Sequence, residues 1–464
     1  MSKIYNILSY VFVVLGFLLL LLEYNLLLLL APISYLFSKL ILSLSQNKNF
    51  YFSKFAYDIL GLIRLVIIPT LIGISNDRII DNLPLGHNYF NEAVVYMCIE
   101  YIIGSLFILF LSNAFKKSIK KRTSFKLSGS KTYYMIFIIT IFVLFITMPG
   151  LRQSISFLII KTNAMGRGTE TTSSADVLFR MLLQLALALL FLVVTYLSYK
   201  KYKIKPSIVY VILPLIIGLI NLGLIVGERR SYQLYTMVAV LTVISLLFTR
   251  HKRGINVVVI SVGVSVLVLM TLYKELYIFN YSSYSEALKH SKNSNLKLVD
   301  TLQSYFYGPS NIAASIDYLN YYSGSFKQFI FDNLRAVFGV NFFVDKHQLI
   351  TSQLFNRLIY GNKQLTGHLI SSAGYGLIYF GPFLFYLNVL FNIFFAFLTE
   401  YIIRKSTSLE VIFVGTYIFM RLATNIFSHS IPLITLISSV LIVYSVVIVI
   451  GIIIKKFFEK VGIR

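Results

Sequence analysis

About twelve apolar runs, most of them close to twenty residues long, recur along this chain of 464 residues, at about 4–22, 26–44, 56–75, 92–113, 132–149, 176–198, 207–226, 231–249, 254–273, 381–403, 409–428 and 432–454. A helix needs about 20 apolar residues to cross a hydrocarbon layer of about 30 Å, with some tolerance for tilt and local thinning. So many such runs leave too few polar residues to cover a water-soluble core. Only 13% of the residues are charged, against about 25% in an ordinary soluble domain. The expected class is therefore an all-α, polytopic integral membrane protein with about twelve transmembrane helices. The first run follows Lys3 but lacks a small-residue cleavage site and is followed at once by a second run. Both read as retained helices rather than a signal peptide.

Charge alternates between the gaps. One set carries Lys48 and Lys54, then Lys116 to Lys131, Lys200 to Lys205, Arg250 to Arg253, Arg404 and Lys405, and Lys455 to Arg464, with almost no acids. The other set mixes basic residues with Asp77, Asp81, Glu92, Glu170, Asp176, Glu228 and Glu275. Lys and Arg are retained on the cytoplasmic side of a membrane. Every second gap obeys that rule, with both termini inside. The net charge of +24 is then mainly a topology signal, and it calls for no nucleic-acid partner. Trp is absent, so Tyr must supply the aromatic residues of the interface. The single Cys98 excludes a disulfide framework and a Cys-based metal site.

These expectations divide the chain into residues 1–273 (helices 1–9), a partly helical extracytoplasmic module over 274–380, and residues 381–464 (helices 10–12). The module has a pattern of its own. Pro309 opens a helical run with Ile312, Ile316 and Leu319 on one face. Ser325 can cap a second helix that stops at Gly339, and a third candidate runs from Val344 to Tyr360. Tyr307 belongs to a crowd of tyrosines here. A Tyr ring can lie on the C–H face of a sugar, or simply anchor a short helix at the headgroups.

The GERRSY sequence from Gly227 to Tyr232 lies between two apolar runs. Glu228, Arg229 and Arg230 thus fall at the outer boundary, where forked guanidinium donors fit the oxygens of a lipid-linked pyrophosphate. A plain charged hairpin tip is the alternative. Gly223 and Gly227 have the spacing of close helix packing. Arg64, Glu100, Arg180 and Arg421 sit within apolar runs, where a charge is costly and faces a partner or a cavity. Glu100 can neutralise one of these arginines. His368 ends the outer module just before a glycine-bearing run, and a histidine can accept a proton from an attacking sugar hydroxyl. His347 is a second candidate base, and Arg335 and Arg357 are candidate phosphate ligands. No phosphate-binding glycine loop, HExxH or DxD pair occurs.

In architecture the chain resembles the Wzy-type oligosaccharide repeat-unit polymerases of capsule and O-antigen synthesis, which are related to O-antigen ligases. The likeness rests on the GERR turn in mid-chain, the long outer loop placed late, and His368 followed by Gly374, Gly376 and Gly381. The resemblance implies a GT-C-like fold in the bacterial cytoplasmic membrane. It implies polymerisation of undecaprenyl-pyrophosphate-linked repeat units by metal-independent glycosyl transfer, without a cofactor. By the resemblance, Arg229 or Arg230 would match the catalytic arginine after the mid-chain span, His368 the loop histidine, and Arg335 or Arg357 a second arginine; Glu228, Arg180, His347 and Tyr307 are further candidates to hold pyrophosphate or sugar. Membrane lipid, chain-length regulators and flippases are the implied partners. A lipid-linked oligosaccharide flippase or other transporter, and a ligase, are the competing readings.

Overall fold

The computed structural model describes residues 2–23, 26–44, 50–75, 78, 80, 83, 85–115, 124–147, 155–157, 174–226, 231–278, 298–361 and 369–461. The chain is a helical membrane protein. Among the described residues, six helices are long and apolar enough to cross a bilayer, or seven if one bent pair is a single span. In chain order the helices begin with α1 (Ser2–Leu22), α2 (Leu30–Ser43), α3 (Tyr51–Ser75), α4 (Phe90–Ala114) and α5 (Lys131–Thr147). Then come α6 (Ser174–Ile204), α7 (Val209–Gly223), α8 (Ser231–Leu247) and α9 (Lys252–Ile278). Five helices belong to the late loop and its exit: α10 (Leu298–Phe306), α11 (Pro309–Tyr318), α12 (Phe326–Ala336), α13 (Thr351–Tyr360) and α14 (Ser372–Leu384). The chain closes with α15 (Leu387–Lys405), α16 (Leu409–Thr424) and α17 (Ser430–Val461).

Every expected apolar run carries a helix, but not every helix has full spanning length. Helices α2, α5 and α7 are apolar and only 14, 17 and 15 residues long. The run expected at 207–226 ends as a helix at Gly223. Leu224–Val226 is instead a strand (β2) paired antiparallel with β1 (Ile155–Phe157). Helices α8 and α9 turn through 116° at their junction.

The chain forms two compact units that interleave along the sequence. The first comprises residues 1–119, 295–401 and 422–439, and the second comprises 120–294, 402–421 and 440–464. Within the first unit, the described part of the late module packs against α3 and α4.

In the first unit, the stacked rings of Tyr57 and Tyr101 lie 4.7 Å apart, and Tyr57 Oη donates to the Tyr101 carbonyl at 2.7 Å. Between α16 and α17 the backbone is irregular, yet Ser428 and His429 are buried. Non-helical backbone is tolerated in such a place only when its polar groups find partners. Asn392 Nδ2 donates to the carbonyls of Ile426 and Ser428, each at 2.8 Å, and Asn388 Nδ2 donates to Ser428 at 3.2 Å.

The late module follows its local signals except in the third candidate, which is helical from Thr351 rather than from Val344. Pro309 sits in the first turn of α11, where its missing N–H costs nothing. Ser325 Oγ accepts from the N–H of Gln328 at 3.1 Å and so caps α12. Gly339 just beyond α12 has φ 90°, a conformation open chiefly to glycine. In α14 a methyl group at Gly376 would overlap the Phe385 carbonyl, and one at Gly374 would overlap the Ser315 side chain. Gly381 kinks the helix with φ 69°. The glycines after residue 368 thus serve close packing and a bend.

In the second unit, Glu410 Oε1 accepts from the N–H groups of Ser128 and Gly129 at 2.7 and 3.0 Å and from Tyr134 Oη at 3.1 Å. Lys455 Nζ donates to the Leu127 carbonyl at 2.9 Å. These bonds tie the start of α5 to the ends of α16 and α17.

Candidate functional site

Within the second unit, a polar cavity lies inside an otherwise apolar bundle. Its lining comes from Gln184 and Ala188 of α6, Asn221 of α7, Tyr232, Gln233 and Thr236 of α8, Phe413 and Tyr417 of α16, and Tyr444 of α17. No lining residue carries a carboxylate. The cavity volume is about 30 Å³, room for one or two waters.

Local sequence places three of these nine side chains at adjoining helix ends. Asn221 is two residues from the end of α7, and Tyr232 and Gln233 lie in the first turn of α8. Tyr417 lies in the last half of α16. The chain enters α8 directly from residues 227–230. Helical spacing brings two arginines to this end of the bundle. Arg180 is four residues before Gln184 on α6, and Arg421 is four residues after Tyr417 on α16, so each shares a face with a lining residue. Arg421 is 7% exposed, and its Nη1 donates to Tyr235 Oη at 3.2 Å. The Tyr235 ring meets that of Tyr417 edge-on, with centroids 5.6 Å apart. Asn221 Nδ2 donates to the Leu187 and Ile217 carbonyls at 3.1 and 3.2 Å, which fixes the amide in the wall. Such an arrangement offers neutral donors and acceptors with fixed cationic groups one helical turn away.

The first unit holds its intramembrane charge differently. Helix α3 widens to π geometry over Ile63–Ile67, a distortion that re-aims side chains. Arg64 Nη1 meets Glu100 Oε2 at 2.6 Å, and both side chains have zero exposure. Arg64 Nε donates to the Tyr307 carbonyl at 2.8 Å, and its guanidinium lies 4.3 Å from the centre of the Phe427 ring. Of the four intramembrane charges singled out in the sequence, Arg64 and Glu100 are a structural pair. Arg180 and Arg421 flank the cavity.

The other expected site residues fall as follows. Glu228, Arg229, Arg230 and His368 lie outside the described residues. Tyr307 is 4% exposed and its ring belongs to the hydrophobic core. It has φ 55° and offers its carbonyl to Arg64. Arg335 is half-buried and braces its own module by donating to the carbonyls of Gln348 and Asp345. Arg357 and His347 are exposed on the same module, and the His347 N–H donates to Asp345 Oδ1 at 2.9 Å.

That module also contains a buried carboxylate. Asp332 accepts from Gln328 Nε2 at 2.9 Å and from the Thr351 N–H at 3.2 Å. The hydroxyls of Tyr375 and Tyr379 donate to it, each at 3.3 Å. Burial raises its pKa above the ordinary carboxylate range, against the opposing pull of the bonds from Thr351, Gln328 and Tyr379.

Sequence reading missed most of the cavity wall. Gln184, Asn221 and Gln233 carry the usable signal, since polar amides within apolar runs need partners. The tyrosines carry no such signal, because the interface and the core use them equally. Comparison with protein-family models, with curated proteins and with solved structures gives no match.

Proposed function

We propose that the chain is a membrane glycosyltransferase that polymerises undecaprenyl-pyrophosphate-linked oligosaccharide repeat units at the outer face of a bacterial cytoplasmic membrane. Twelve spans, both termini inside and the GT-C-like arrangement are part of this proposal. They rest on the alternation of charge and on the resemblance to Wzy-type polymerases. The observation that carries the reading is the polar cavity at the start of α8. It adjoins the GERR turn in the chain and is flanked by Arg180 and Arg421.

The acceptor hydroxyl attacks the anomeric carbon of the donor. The C–O bond to pyrophosphate breaks, and the electron pair leaves with the undecaprenyl pyrophosphate. The hydroxyl proton passes to His368, the general base implied by the resemblance. Negative charge grows on the pyrophosphate as the bond breaks. Guanidinium groups held at the bilayer boundary stabilise that charge more in the transition state than in the ground state. Holding both lipid-linked substrates in one bilayer makes the attack effectively intramolecular. Arg335 or Arg357, with His347, would bind pyrophosphate or sugar in this reading.

A transporter would also use a polar cavity, but transporter folds are typically built from repeats that follow one another along the chain. No internal repeat is evident in the sequence, and on that ground we prefer the transferase. The test is alanine replacement of Arg229, Arg230 and His368, scored by polymer length in cells. Loss of polymer with the protein still in the membrane is expected. Normal-length polymer from all three variants would remove the site assignment. A knockout that leaves repeat units on the inner face would favour the flippase.

A further inference from the structure

The late module carries an apolar face that its own core does not use. On α12, Phe326, Ile330 and Leu334 are 74%, 43% and 45% exposed and recur every four residues, so they form one stripe. Beyond the Gly339 turn, Phe342 and Phe343 are 52% and 92% exposed. The opposite face of α12 is closed: Gln328, Asp332 and Ala336 are buried there. A soluble module would not leave three phenylalanines on one edge beside such a core.

One bond fixes where this edge lies. The N–H of Phe338 donates to Ser438 Oγ of α17 at 2.9 Å. Ser438 stands on a face of α17 that continues through the exposed Ile442, Val446, Val449 and Ile453, at helical spacing. That is the lipid-facing stripe of a spanning helix. Depth follows from counting. A hydrocarbon layer of about 30 Å takes about 20 residues at about 1.5 Å each. Counted back from Lys455, they end near Thr435, so Ser438 lies about one turn inside the apolar layer. Charge agrees with this placement. Lys327, Lys346 and His347 are exposed beside the apolar edge, where cationic side chains reach phosphate groups.

We propose that residues 338–343, together with the Phe326, Ile330 and Leu334 stripe, form a wedge that seats in the bilayer leaflet at the N-terminal end of α17. The partner is the lipid itself, acyl chains against the phenylalanines and phosphates against Lys327, Lys346 and His347. The wedge holds the late module at the level of the headgroups, close to any substrate whose lipid tail stays in that leaflet. It stands whether or not the chain is a polymerase.

The absence of Trp makes the test direct. Phe343→Trp in the full-length protein, reconstituted in phosphatidylcholine–phosphatidylglycerol vesicles, is the only indole in the sample. Phe343 is almost fully exposed, so the change disturbs no packing. Seated in the leaflet, the indole emits as in an apolar medium. It loses more than half of its emission to lipids brominated near the glycerol end of the acyl chain and is nearly untouched by iodide in the buffer. Strong iodide quenching without bromolipid quenching would overturn the wedge in favour of a water-exposed loop. Protection from both quenchers would overturn it in favour of a contact with a second copy of the chain. Phe342→Trp, run in parallel, must give the same ordering of the two quenchers, and the opposite ordering in both variants sinks the idea.

Discussion

The two units treat intramembrane polarity in opposite ways. In the first, Arg64 and Glu100 are fully buried and bonded to each other, to a backbone carbonyl and to an aromatic ring. In the second, amides, hydroxyls and phenols line a cavity, with two arginines a helical turn away. A charged residue within an apolar run is equally costly in both places. What separates a structural pair from a binding site is whether the polar groups close on one another or on a space.

That contrast can be broken by mutation, beginning with the largest effect. Arg64→Ala leaves Glu100 as an uncompensated buried charge and should cost about 3–5 kcal/mol. Thermal unfolding of the purified protein should show it, and the double change Arg64→Met with Glu100→Leu should recover most of the loss. If the single variant were as stable as the parent, the pair would not be structural.

Arg421→Ala, in contrast, should lower polymer synthesis by about 10²–10³-fold, the usual worth of one donor to a developing oxyanion. Its fold should stay intact. Arg421→Lys should recover little of the activity, since an ammonium cannot reproduce the fork. Equal loss of activity and of folded protein would erase the distinction between the units. Gly376→Ala forces a methyl group against the Phe385 carbonyl and should cost about 1–3 kcal/mol by overpacking, without changing the chemistry of the protein that folds.

The smallest effect concerns Asp332, whose carboxyl is held above the ordinary range by burial. A group raised in the folded state contributes its full stability at a pH below its unfolded value. It loses that contribution as pH rises through the folded value, because the fold must then hold a buried charge. Stability of the late module should therefore decline as pH rises out of the carboxylate range. Asp332→Asn should flatten that profile. Unfolding curves over a pH series, parent against variant, would show the decline persisting in Asp332→Asn if another group is responsible.

Much of this was legible in the sequence, and the reasons for the rest are specific. Length and hydropathy find helices because each helix satisfies its own backbone in lipid. Pro309, Ser325 and Gly339 mark helix ends by local chemistry, and all three act as read. The pairing of Glu100 with an intramembrane arginine was open to reading, but the choice of Arg64 over Arg180 was not, because their partners lie far apart in the chain. The end of α7 at Gly223 depends on a strand partner some seventy residues earlier. Tyr307 read as a ligand contact because its neighbours are tyrosines. Its ring is buried in the core, at a left-handed backbone position.

The central claim is that the polar end of the second unit, with Arg421, takes part in glycosyl transfer. It is tested most directly by purified protein in vesicles with undecaprenyl-pyrophosphate-linked repeat units, scored for chain extension. The account predicts extension by the parent and by Asp332→Asn, and almost none by Arg421→Ala. Extension by Arg421→Ala at the parental rate, or no extension by the parent without other proteins, would contradict it.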